Sequence, residues 1–275
     1  MSYTNPTLIN SIQFTKYHGT GNDFIMINQL DHKYLDGSET ATIKRLCDRR
    51  FGIGADGLIL LQEKAGYDFE MDYFNADGHR GSMCGNGARC TVAFARSLGL
   101  QKSDYSFFAP DGPHRARVSM ENKDWIEIEM ADVQRIEYNK THYFLDTGSP
   151  HYVRFADRLN ELDVEQAGRQ VRYSPRFAEQ GTNVNFVSAS SQLPLFVRTY
   201  ERGVEAETLS CGTGVTAAAI AFTMQHKRST DVPQTISIQT LGGQLEVRLE
   251  KEAAGYVNIW LCGPAVEVFK GQLHL

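Results

Sequence analysis

Met83-Cys84-Gly85-Asn86-Gly87 and Ser210-Cys211-Gly212-Thr213-Gly214 are two copies of one pattern: a cysteine, a glycine, a small polar residue and a second glycine. They lie almost half a chain apart, and each heads a run that reads as a helix. The first run goes from about Gly87 through Cys90-Thr91-Val92-Ala93-Phe94-Ala95-Arg96 to a stop at Gly99. The second goes from about Gly214 through Thr216-Ala217-Ala218-Ala219-Ile220-Ala221-Phe222 to Gln225. Both are apolar nearly all round, which marks a helix enclosed by other structure. Further out the echo continues. A polar turn precedes each cysteine, Asn75-Ala76-Asp77-Gly78 in one half and Glu201-Arg202-Gly203 in the other. Gly19-Thr20-Gly21-Asn22-Asp23-Phe24 has a looser counterpart in Gly181-Thr182-Asn183-Val184-Asn185-Phe186. Much of the rest is strand-like, rich in β-branched and aromatic residues, at 24–28, 58–61, 69–74, 126–130, 185–187, 196–200, 236–240, 245–249 and 257–261. More polar helices are expected at 39–49 and 157–168. The repeat predicts an α+β chain of two related domains, each mostly sheet around one central helix.

Composition agrees with that size. The chain has 275 residues, 41% hydrophobic and 22% charged, close to ordinary globular usage. At ~150 residues per domain this makes about two domains. With 28 basic and 33 acidic side chains the formal charge is −5, so no basic surplus exists to neutralise nucleic-acid phosphates. No apolar run approaches the ~18 residues of a membrane span. The first residues lack the basic flank and apolar core of a signal peptide, so a cytoplasmic location is expected.

Five cysteines, Cys47, Cys84, Cys90, Cys211 and Cys262, are an odd number at wide spacing, which favours free thiols over a disulfide framework. His79, Cys84 and Cys90 match no zinc spacing, so no metal is expected. Gly52-Ile53-Gly54-Ala55-Asp56-Gly57 is a literal G-x-G-x-x-G, but helix-like sequence precedes it and strand-like sequence follows. A dinucleotide site needs the opposite order, so this is read as a turn.

A lone cysteine is usually a small buried filler, and Cys47, Cys90 and Cys262 are read that way. Cys84 and Cys211 differ, because each sits at a helix start among glycines. Unsatisfied N–H groups there favour a thiolate and can equally hold a carboxylate. Two such motifs facing each other would put one thiol on each side of a bound carbon. His18 and His151, beside Gly19 and Pro150, read more readily as turn residues, and Glu201-Arg202 as a surface ion pair.

HGTGNDF (18–24), GIGADG (52–57), FNADG with CGNGARC (74–78, 84–90), GTNVNF (181–186) and YERG with CGTG (200–203, 211–214) occur in the order found in diaminopimelate epimerases, and the chain resembles that family over nearly its whole length. The resemblance implies a cofactor-independent enzyme that interconverts LL- and meso-diaminopimelate, with products serving lysine and peptidoglycan synthesis. It implies two pseudo-symmetric domains of curved, mostly antiparallel sheet around a central helix, with the site in the cleft between them. These are taken as 1–124, carrying Cys84, and 125–264, carrying Cys211, with 265–275 returning to the first. A homodimer is implied as well. Carried over by motif, Cys84 and Cys211 are the acid/base pair. Gly85, Asn86, Gly212 and Thr213 seat the reacting carboxylate. Asn22, Asn75, Asn183, Glu201 and Arg202 contact the substrate, and His151 and Glu201 tune the thiols.

Two positions depart from the family pattern. Gly57 stands where better-known members have Gln, and Ser149 where they have Asn. Both bear on substrate selectivity rather than on the thiols. Three other readings stay open: a racemase of another amino acid, such as proline or histidine; a non-catalytic amino-acid-binding protein; and a pyridoxal enzyme. Paired thiols count against the second. The third has no lysine marked by its surroundings.

Overall fold

The computed structural model describes residues 11–120, 122, 124–226 and 232–274. Residues 1–10 and 275, assigned by sequence to the first domain, lie outside the described residues.

The first half runs β1 (Ser11–Gly19), β2 (Asn22–Asn28), α1 (Thr40–Cys47), β3 (Gly57–Gln62), β4 (Phe69–Asn75), α2 (Gly85–Ser97), β5 (Asp104–Ala109), β6 (Gly112–Val118) and β7 (Trp125–Met130). The second runs β8 (Ile136–Tyr138), β9 (Tyr143–Asp146), β10 (Pro150–Ala156), α3 (Val164–Arg172), β11 (Asn183–Ser188), β12 (Leu195–Glu201), β13 (Ala206–Thr208), α4 (Gly212–Gln225), β14 (Gln234–Thr240), β15 (Gly243–Glu252) and β16 (Gly255–Pro264), before β17 (Val266–His274). From β1 to β7 successive pairings are antiparallel, parallel, antiparallel, parallel, antiparallel and antiparallel. From β9 through β10, β11, β12, β14 and β15 to β16 they repeat that order. Every parallel pair is bridged by a helix, as parallel crossovers require. The two halves are therefore pseudo-symmetric domains, in which α2 matches α4 and α1 matches α3.

The domains join where their last strands meet, β7 antiparallel to β16, with Ile128 opposite Leu261. Each last strand is followed by one that crosses over: β8 pairs with β9 of the second domain and β17 with β1 of the first. Among the described residues no pairing joins β17 to β8, so the sheet curls without closing.

Helices cover both faces of the sheet. The central helices α2 and α4 lie within the main core, while α1 packs Ile43 and Leu46 on the outer face of the first domain and α3 packs Val164 on that of the second. This double cover makes Phe24-Ile25-Met26-Ile27 and Leu58-Ile59-Leu60-Leu61 buried without alternation. In α4, Val215 through Thr223 are all buried, and its alanine run favours helix intrinsically.

The helix expected at 157–168 divides. A 3-10 turn occupies Leu159–Glu161, and α3 begins only after Asp163, whose side chain accepts from the Gln166 N–H at 2.9 Å. Gly168 lies inside α3, because a Cβ there would come 2.3 Å from Tyr200 Cβ. The glycine permits close helix–sheet approach rather than a stop. Helix α1 is shorter than 39–49. Gly54, with φ of 81°, turns the chain off its C-terminus, and the amides of Ile53 and Gly54 both bond the Leu46 carbonyl. The G-x-G-x-x-G is thus a helix-to-strand turn. The central helices begin at Gly85 and Gly212, two residues before the expected starts, which makes the cysteines themselves the N-caps.

Candidate active site

Cys84 (φ −111°, ψ 120°) and Cys211 (φ −118°, ψ 111°) hold the extended backbone of an N-cap, and neither side chain caps its helix. Ser, Thr, Asp or Asn would satisfy the first helical N–H groups; a thiol leaves them available for an anion. The two helix starts meet over one residue. A Cβ at Gly85 or at Gly212 would approach Leu261 Cδ2 at 2.9 Å, and one at Gly212 would also lie 3.7 Å from Gly85 Cα. Leu261 sits at the centre of the β7–β16 junction, so the strand that joins the domains also brings both cysteines to one cleft.

Each domain adds polar groups from matching places. The β1–β2 hairpin turns through Thr20 (φ 49°) and Gly21 (φ 87°), the left-handed pair of a tight turn, and presents Asn22. Asn22 Nδ2 donates to Asp56 at 2.8 Å, while its Oδ1 accepts from Asn86 Nδ2 at 3.2 Å and lies 3.5 Å from Cys84 Sγ. Asn86 also donates to the Ser210 carbonyl at 3.1 Å, tying the domains together beside Cys211. Asn75 and Glu201 end the equivalent strands β4 and β12. Asn183 donates to Ser149 Oγ at 2.9 Å and accepts from the Arg202 backbone N–H at 2.9 Å. Arg202 donates from Nη1 to the Gln180 carbonyl at 3.0 Å.

A cavity of about 900 Å³ is lined by Asn22, Asn75, Cys84, Gly85 and Asn86 from one domain. Asn183, Glu201, Arg202, Cys211, Gly212 and Thr213 line it from the other. Ser149 belongs to this wall and Gly57 does not. Arg49, Asp56, Tyr73 and Thr208 line it too and were not singled out from sequence. Asp56 sat in a quoted motif, whereas Tyr73 carried no local signal.

Burial and hydrogen bonding correct three sequence expectations. Burial pushes both thiols up from their ordinary range, and the Glu201 charge raises them further. Against this act the Gly87 and Asn86 N–H groups at Cys84, and the Thr213 hydroxyl and Gly214 N–H at Cys211. Burial therefore outweighs the helix N-terminus. Glu201 is no surface ion pair with Arg202. It accepts from Thr208 Oγ1 at 2.9 Å, and burial raises its own carboxyl. His151 is no turn residue either. It lies in β10, fully buried, with Nε2 3.1 Å from Ser149 Oγ and Nδ1 3.0 Å from Asn185 Nδ2. Burial, then the Arg202 charge, lowers its pKa to about 3, so it is neutral behind the cleft wall. His18 does serve a turn, its Nδ1 accepting from the Gly21 N–H at 3.3 Å.

Cys47, Cys90 and Cys262 are buried, unpaired and away from the cleft. Among the described residues no three His, Cys, Asp or Glu side chains gather to hold a metal ion, and no helix is long and apolar enough to cross a membrane.

A family model described as diaminopimelate epimerase matches residues 14–136 and 143–267. A protein named diaminopimelate epimerase from Flavobacterium psychrophilum is 49% identical, over 93% of this chain and 97% of its own. One of the same name from Hydrogenobaculum sp. is 36% identical, over 94% and 97% respectively. Among solved structures, a PhzF-family phenazine biosynthesis protein from Bacillus anthracis superposes with a TM-score of 0.77 at 14% identity, covering 96% of this chain and 99% of its own. A hydroxyproline epimerase from Agrobacterium vitis gives 0.68 at 12% identity, covering 100% and 94%. At such identities the structures share the fold.

Proposed function

This chain belongs to the diaminopimelate epimerase family, and we propose that it interconverts LL- and meso-diaminopimelate by proton transfer between Cys84 and Cys211, with no cofactor. The observation that carries this reading is the meeting of two cysteine-capped helix starts in one cleft. The reacting carboxylate sits on the open N–H groups at Gly85-Asn86 and Gly212-Thr213, between the sulfurs. One thiolate removes the α-proton while the opposite thiol delivers another to the far face. Inversion requires two such groups. The raised thiol pKa values suit the task, since a thiolate that gains its proton tightly is a stronger base toward a weakly acidic C–H. Developing negative charge is met by the same helix N–H groups in a site shielded from water.

Asn22, Asn75, Asn183, Glu201 and Arg202 hold the substrate, Arg202 reaching the distal carboxylate. Glu201 tunes both sulfurs through its charge. His151 acts at one remove, through Ser149 and Asn185. A division into 1–124 with 265–275, and 125–264, a homodimer, and supply of lysine and peptidoglycan synthesis belong to the same proposal.

A substrate panel tests it. Purified protein should epimerise LL-diaminopimelate and leave ordinary L-amino acids untouched. Turnover of proline or histidine instead would overturn the substrate assignment.

A further inference from the structure

The space beside Gly57 is filled by the side chain of another residue. Gly57 on β3 is opposite Asn75 on β4, and Tyr73 lies two residues before Asn75, on the same face of that strand. A Cβ at Gly57 would come 2.5 Å from Tyr73 Cε2 and 2.6 Å from the Phe74 carbonyl. On the other side of the ring a Cβ at Gly81 would come 2.5 Å from Tyr73 Cε1 and 2.7 Å from Cδ1. The phenol occupies a slot between two glycines, and it packs edge-on to Phe24 with ring centres 5.9 Å apart. A side chain at position 57 would force the ring or the Phe74 carbonyl to shift.

The slot fixes the ring at the cleft wall, where it lines the cavity with Asn75 and Cys84. Tyr73 is only 8% exposed, yet its hydroxyl has no hydrogen-bond partner among the described residues. Tyr73 is part of the cleft wall, where a bound ligand would be within reach of the ring's polar end. A phenol held that deep normally finds an acceptor, since tyrosine hydroxyls pair when buried. Burial, with Cys84, Asp56 and Glu201 nearby, raises its pKa, so it keeps its proton and presents a donor.

We propose that the Tyr73 hydroxyl binds the substrate, donating a hydrogen bond to an oxygen of the distal carboxylate, the one remote from the inverted carbon. This deepens the epimerase reading above and rests on it. The binding is uniform: the distal carboxylate is not conjugated to the inverted carbon and carries the same charge before and during proton transfer. Its removal affects affinity more than turnover.

Tyr73→Phe is the test, because it keeps the ring, the slot and the Phe24 contact and deletes one oxygen. For LL-diaminopimelate, KM should rise about five- to tenfold, the worth of one hydrogen bond. The kcat should stay within about twofold, as expected for uniform binding. The unfolding midpoint should not fall. An unchanged KM in the folded variant overturns the proposal, and so does a lower kcat at unchanged KM, which would place the hydroxyl in the transition state only. A drop in unfolding midpoint with both constants unchanged makes Tyr73 structural and also overturns it. Wild type measured alongside separates the two readings. Wild type that does not turn over LL-diaminopimelate overturns the epimerase reading and this one with it. Active wild type with an indifferent variant overturns this one alone.

Discussion

Replacing Gly214 by Ala puts one methyl group into the packing behind Cys211. Its Cβ would stand 2.4 Å from Asn185 Oδ1 and 3.3 Å from Cys211 Sγ, against 3.4 Å or more for ordinary contact. The Asn185 amide must retreat by roughly 1 Å, and it is fully buried in a close-packed region with nowhere to go. It bonds His151 Nδ1 at 3.0 Å, the Tyr152 carbonyl at 3.1 Å and Thr199 Oγ1 at 2.9 Å. Loosening these three contacts costs about 3 kcal/mol, at ~1 kcal/mol each. Alanine returns about 0.5–1 kcal/mol in helix propensity, since position 214 lies in the first turn of α4. The net loss is about 2 kcal/mol, or a fall of ~4–8 °C in unfolding midpoint for a chain of this size. The displaced sulfur should lower kcat by at least ~10-fold, because proton transfer depends on placement. Thermal unfolding followed by near-UV circular dichroism, with an epimerisation assay on the same preparation, measures both. A variant as stable and as active as wild type would refute this account of α4.

Cys84→Ala and Cys211→Ala should each fold and each lose epimerisation by ~10²–10⁴-fold, since no other group serves that face; turnover near wild type in either would remove that cysteine from the mechanism. Arg202→Lys should raise KM for diaminopimelate by about tenfold, a point charge being a poor substitute for a planar fork; an unchanged KM would leave Arg202 holding only the Gln180 carbonyl. His151 gives a pH dependence. Its folded pKa of about 3 lies below the unfolded value near 6.5, so its stabilising effect is complete above 6.5 and is lost as pH falls toward 3. Wild type should lose up to about 2 kcal/mol more than His151→Leu between pH 6.5 and 5, and equal slopes in denaturant titrations would contradict the buried neutral imidazole.

The glycine-bounded cysteines and the apolar runs behind them made the central helices legible, because sequence order and local burial coincide there. Strands 58–61 and 69–74 were equally plain, being covered on both faces. Strand β17 was not readable from pattern, because Val266, Val268 and Phe269 are half exposed and its partner β1 lies at the other end of the chain. It was expected only from the family resemblance. Strands β5 and β6 lack an apolar run: β5 alternates exposed and buried residues over only six positions, and β6 buries Ala116 alone. Gly168 misled because a glycine needed for close packing looks like one that ends a helix.

At the site, the paired cysteines, the glycines beside them and several polar residues of the cleft were found through motifs, while their physical state was not. A helix start is visible in sequence, but the burial that raises both thiols, and makes His151 neutral, is a property of the assembled domains. Tyr73 escaped notice for the same reason. Its role depends on two glycines, Gly57 and Gly81, that flank it only in the folded sheet.

The central claim is that two different groups act on opposite faces of one carbon. Epimerisation of LL-diaminopimelate in heavy water, stopped at low conversion, tests it most directly. A thiol has a single proton and exchanges it with solvent, so the incoming hydrogen at the inverted carbon derives from the group that did not take the original. The account predicts solvent deuterium at the inverted carbon of the product and recovered LL substrate that is nearly unlabelled. Unlabelled product, or heavy early labelling of the recovered substrate, would mean that one group both removes and returns the proton, and would contradict opposed thiols at Cys84 and Cys211.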